Sequence, residues 1–175
     1  MLFSRRTVVI TTLFVTLLPG CGTTMVVTPE VKPTFNNDFR MKGQIVYDGN
    51  RDYFPRTIAE DSLDKSGLVF RYKYEVAYGK DNLPQAIPLF NPLTLVGFPV
   101  GEDTVVIVGH MEILRENGVV KTYTATCAFD KKRSMYWEGD TLTELRKKGL
   151  IAVRDNIETQ MNQDQVFLSK LITDK

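Results

Sequence analysis

The sequence predicts an α+β fold: a two-layer sandwich with two helices on one face of a three- or four-stranded antiparallel sheet, in the order α-β-β-β-α. Three observations carry this reading. Leu68, Phe70, Tyr72, Tyr74, Val76 and Tyr78 alternate with Val69, Arg71, Lys73, Glu75 and Ala77, the pattern of a strand with one face buried and one face wet. Glu116-Asn117-Gly118 joins two further alternating runs as a hairpin. After them, Thr141 and Glu144 form a capping box at the head of a long apolar-striped segment. Strands gathered together, with helices segregated around them, fit an α+β layer arrangement.

The elements follow in order. Residues 22–40 contain Pro29, Pro33, Asn36 and Asn37, which favour a tether, while Met25-Val26-Val27 is a short β-prone run suited to an edge strand. Gln44 to Tyr47 reads as a small strand. Asp52 to Gly67 reads as the first helix, with Pro55 in its first turn, Gly67 at its end, and Ile58, Ala59, Ser62 and Leu63 at helical spacing. The main strands span Leu68–Tyr78, Asp103–Leu114 and Val119–Phe129. In the hairpin, a three-residue loop with Gly118 in a left-handed bulge pairs Arg115 with Val119. It sets Ile107, Gly109 and Met111 opposite Cys127, Ala125 and Tyr123, and His110 and Glu112 opposite Thr124 and Thr122, separating apolar from polar residues. The closing helix carries Leu142, Leu145, Leu150, Val153, Ile157 and Met161 on one side, and Gly149 weakens it by about 1 kcal/mol relative to alanine. Val166 to Ile172 supplies a further helical stretch or a continuation.

Between the first and second main strands, Asn82 to Gly101 runs for 20 residues without a charge, and prolines at 84, 88, 92 and 99 prevent a regular helix. Three roles compete for Leu89, Phe90, Leu93, Leu95 and Phe98: folding over the end of the sheet, docking a partner, or dipping into a membrane interface.

The amino terminus bears on location. Arg5 and Arg6 precede the uncharged Thr7–Leu18 run, which is too short to cross a bilayer and is broken by Pro19-Gly20. Leu17-Leu18-Pro19-Gly20-Cys21 resembles the lipobox of bacterial lipoproteins. The resemblance implies removal of residues 1–20, diacylglycerol on the Cys21 sulfur and an acyl group on the new amino terminus, with no other cofactor. The non-aspartate Gly22 implies sorting to the outer membrane, facing the periplasm. Residues 21–40 would then be the lipidated tether and 41–175 a single domain. Asn91-Pro92-Leu93-Thr94-Leu95-Val96-Gly97-Phe98-Pro99 is similar to an N-x-L-T-L-x-x-x-P segment of small envelope lipoproteins, a group that brings no catalytic residues with it.

Composition narrows the function. Removing Arg5 and Arg6 from the 22 basic residues leaves 20 against 21 acidic ones, so nothing favours a nucleic-acid surface. His110 is the only histidine and reads as a surface residue; no metal site or catalytic pair can be assembled around it from a second histidine. Cys127 lies on the apolar side of its strand and reads as a buried, inert thiol. Glu138 and Asp140 flank Gly139 in a pattern compatible with a sugar or calcium site, but Asp140 also serves to start a helix. The expectation is a non-enzymatic, membrane-anchored accessory or assembly lipoprotein that binds another envelope protein. The alternative is a carrier or binder of a lipid or other apolar ligand beneath the helices.

Overall fold

The computed structural model describes residues 22–32, 39–61, 67–80, 101–116, 118–133 and 139–173. Its strands are β1 (Thr23–Thr28), β2 (Met41–Val46), β3 (Ile58–Glu60), β4 (Leu68–Lys80), β5 (Gly101–Arg115) and β6 (Gly118–Arg133). Two helices close the chain, α1 (Leu142–Gln163) and α2 (Gln165–Thr173). The strands form one six-stranded sheet in the order β1-β6-β5-β4-β2-β3. From β1 to β4 the pairing is antiparallel, whereas β2 and β3 add on in parallel. The sheet curls into a half-barrel, with α1 lying mainly over β5 and β6.

This corrects the expected architecture. The sheet is mixed and six-stranded, not a three- or four-stranded antiparallel one, and both helices follow the strands. The α+β label fits only loosely. No α-helix forms at residues 52–61; the chain makes a 3-10 turn at Arg51–Tyr53 and then enters β3, and residues 62–66 lie outside the described residues. The cause is local. Phe54, which precedes Pro55, is extended at φ −92° and ψ 141°, the conformation that proline imposes on the residue before it. Ile58 is buried and Glu60 exposed, and Met41 donates its N–H to the Thr57 carbonyl at 2.8 Å, drawing the segment alongside β2. Ile58, Ala59, Ser62 and Leu63 are too few to fix a helical period, and parallel pairing with β2 sets the conformation of Ile58–Glu60 instead.

The long strands follow the alternation. β4 pairs with β5 over its whole length, Tyr72 opposite Met111 and Val76 opposite Ile107. In the β5–β6 hairpin, Ile107, Gly109 and Met111 face Cys127, Ala125 and Tyr123, the register that separates apolar from polar residues. The turn differs from expectation. Arg115 pairs with Gly118, the irregularity falls between Ile113 and Leu114 so that Val120 is the extra residue, and the positive φ belongs to Glu116 at 51°, not to Gly118. The bulge has moved from the loop into β6, which leaves the inward set unchanged. Met25-Val26-Val27 forms the centre of β1 at the edge of the sheet.

The inward face holds Phe70, Tyr72, Val105, Ile107, Met111, Ile113, Tyr123, Cys127 and Phe129, and α1 adds Leu145, Leu150, Val153, Ile157 and Met161. The capping box is present, with Glu144 N–H donating to Thr141 Oγ1 at 3.2 Å and Thr141 N–H to Glu144 Oε2 at 2.7 Å. Asp164 divides α1 from α2 and ties that point to the hairpin end, accepting from Tyr123 Oη at 3.0 Å and pairing with Lys121 at 2.8 Å. Gly149 does more than weaken the helix. A side chain there would meet the Ile107 Cδ1 and, at 2.8 Å, the Phe129 ring. Its absence lets α1 lie close against β5 and β6.

Candidate functional site

Among the described residues the most open feature is the β1 edge. β1 pairs with β6 from Thr23–Lys131 to Thr28–Thr126, and no described strand lies on its other side. Met25 and Val26 are 49% and 61% exposed and project to opposite faces. On the outer face Val26 continues a row formed by Ala128, Val106 and Ala77, so the edge joins an apolar stripe on the side of the sheet away from α1. The chain beyond β1 is held in place. Asn156 Nδ2 donates to the Pro29 carbonyl at 2.8 Å, and Gln163 Nε2 donates to the Lys32 carbonyl at 3.2 Å. The edge is thus a fixed strand with ladder positions available, the geometry that strand addition uses.

The far side of the sheet is locked instead. Glu158, almost buried, accepts from the backbone N–H of Arg56 and from its guanidinium at 3.0 Å. Arg154 pairs with Asp155 at 2.7 Å and donates to the Asp52 carbonyl. These contacts hold the 3-10 turn and the entry to β3 against α1. Beside them Tyr47, Phe54, Tyr72 and Tyr74 form a cluster with ring centroids 5.3 to 6.5 Å apart. Burial, with the neighbouring Tyr74 and Tyr53, pushes the Tyr47 hydroxyl up to about 12. Burial raises Tyr72 well above its ordinary range, so neither phenol exchanges a proton near neutral pH. The Tyr72 Oη has no hydrogen-bond partner among the described residues; a Cβ on Gly109 would lie 3.2 Å from it. An orphaned hydroxyl costs about 1–3 kcal/mol. Tyr72→Phe keeps the ring and is expected to raise stability by about 1 kcal/mol in urea titration. A loss of stability would show that the hydroxyl is satisfied in solution.

Cys21 lies outside the described residues, as do Leu89, Phe90, Leu93, Leu95 and Phe98, and Glu138. Nothing in the described residues bears on the lipoprotein or membrane assignments, which rest on the amino-terminal segment and on the 82–101 sequence. His110 is exposed on the outer face, its Nδ1 3.2 Å from Thr124 Oγ1, with Lys73 as its neighbour on β4. Cys127 is buried, and burial pushes its thiol up to about 11, the reverse of an activated nucleophile. Asp140 pairs with Lys148 at 2.7 Å and its carbonyl accepts from Lys131 at 2.6 Å. Among the described residues no group of three or more His, Cys, Asp or Glu side chains could hold a metal, and no helix is long and apolar enough to cross a membrane.

Exposed Val26 and its stripe were missed as a surface in the sequence reading. The signal was present in Thr104-Val105-Val106-Ile107-Val108, where valines occupy both faces of a strand that otherwise alternates. No family model matches the chain, and the comparison with curated proteins gives no match.

Proposed function

We propose that the chain is a lipid-anchored, non-enzymatic lipoprotein, held through Cys21 in the outer membrane and facing the periplasm, which binds another envelope protein along β1. The observation that supports this reading best is the open β1 edge with Met25 and Val26 exposed on it. A partner strand added there would gain backbone hydrogen bonds from the edge and apolar contact from Val26, with Ala128 and Val106 farther along the same outer-face row. The anchor supports the same reading, because a tethered domain meets membrane partners at raised effective concentration.

A lipid carrier would need space between α1 and the sheet, and at the Gly109 and Gly149 crossings a single added methyl group would collide with Val153 and Ile107.

A photo-reactive amino acid at Val26 is expected to yield one discrete protein adduct in intact cells, identifiable by mass spectrometry, whereas the same group at Lys73 on the outer face yields none. Equal, diffuse labelling from both positions would remove the β1 edge as the binding site.

A further inference from the structure

Thr23, Lys131, Asp103 and Lys80 stand side by side as one row across β1, β6, β5 and β4. Three strand spacings of about 4.8 Å make this row about 14 Å wide. Thr23 follows Cys21 by two residues, so the two Cα atoms are no more than about 7 Å apart. Whatever holds Cys21 therefore holds this end of the sheet.

We infer that this row is the face the domain turns to the phospholipid leaflet carrying the Cys21 acyl chains, with the strands running outward and the β5–β6 turn farthest from the bilayer. The inference rests on the reading of Cys21 as the lipid attachment site. Little slack separates anchor from fold, because β1 is paired along its length and the chain after it is tied to α1 by Asn156 and Gln163. A domain on a long flexible leader could turn any side to the membrane; this one is held by its first strand. The described strands also end at Lys80 and resume at Gly101 at this same end.

Exposed apolar side chains stand at both ends of the sheet: Met25, Val26 and Tyr78 lie in the anchored half, and Val119 and Val166 lie at the hairpin end, where Lys121 reaches over the Phe167 ring. Exposure alone does not choose between the two ends. Strand rise places Arg115 about 40 Å from Asp103 along β5, so the anchor geometry sends the hairpin-end group away from the bilayer.

The test uses the full lipidated protein, purified from membranes and returned to phosphatidylethanolamine–phosphatidylglycerol vesicles containing nitroxide-headgroup lipid. A fluorophore is attached through Lys132→Cys, Glu102→Cys or Val119→Cys, in a Cys127→Ala background. Lys132 and Glu102 are exposed partners beside the end row, so either reports if the other variant is poorly produced. Most of the fluorescence at 132 and 102 is expected to be lost to the nitroxide and that at 119 to be unchanged. Acylated protein with 119 quenched as strongly as 132 overturns the inference and leaves the anchor standing. Protein whose Cys21 carries no lipid overturns both.

Discussion

Gly109→Ala is expected to destabilise the domain by about 2 kcal/mol, lowering the melting temperature by about 4–8 °C for a chain of this size. Gly109 sits at the centre of β5, opposite Ala125 on β6 and Tyr74 on β4, where α1 crosses the sheet. A methyl group there would run into Val153 Cγ1, approach the Tyr72 hydroxyl at 3.2 Å and touch Ile157 Cδ1 at 3.5 Å. Val153 is β-branched and fully buried, so it cannot turn aside, and the helix itself must lift. In an open strand the same exchange gains stability by restricting the unfolded chain. Gly79 provides that comparison: it is exposed on β4, and a Cβ there would make only ordinary contact with Thr104 at 3.4 Å. Gly79→Ala is therefore expected to be neutral or stabilising by about 0.5 kcal/mol. Opposite signs for the two substitutions in urea titration check that α1 is seated directly on the sheet. A neutral Gly109→Ala would mean that a gap exists there.

Replacing Cys21 by serine is expected to abolish lipid attachment and, with it, processing of the precursor. The thioether needs the sulfur, and serine's hydroxyl does not substitute for it. Two or more acyl chains hold a protein stably on a bilayer, at about 0.8 kcal/mol for each buried methylene, whereas the described residues contain no helix able to span one. A second variant separates anchoring from export. With residues 1–21 replaced by an ordinary cleaved signal peptide, the domain is expected to appear folded in the soluble periplasmic fraction. Retention of that variant in the membrane pellet would mean that the domain binds the membrane without lipid on Cys21.

The antiparallel half of the sheet was legible because its code is simple. β4, β5 and β6 alternate over long runs, and only one register of the hairpin keeps Ile107, Gly109 and Met111 with Cys127, Ala125 and Tyr123. The helix start was legible from Thr141 and Glu144, whose side chains satisfy backbone donors locally. The parallel half was not. β3 is three residues long, and its pairing with β2 depends on a partner seventeen residues earlier, with Met41 opposite Ile58. Ile58, Ala59 and Glu60 carry no period of their own over such a length. The turn misled for a related reason: Gly118 was the residue best suited to a positive φ, yet Glu116 adopts it because a bulge inside β6 restores the register. Gly149 looks like a weak point in a linear reading, and both it and Gly109 become close contacts only once helix and sheet meet. At the candidate site, Met25-Val26-Val27 was readable as an edge strand, but its exposure depended on where the sheet ended.

The intact mass of the membrane-extracted chain tests the proposed anchoring through Cys21 most directly. The expected species begins at Cys21 and carries the added mass of diacylglycerol on sulfur and a fatty acyl group on the amino terminus. A membrane-extracted species that retains Met1, or one whose Cys21 thiol is free to alkylate, would contradict it.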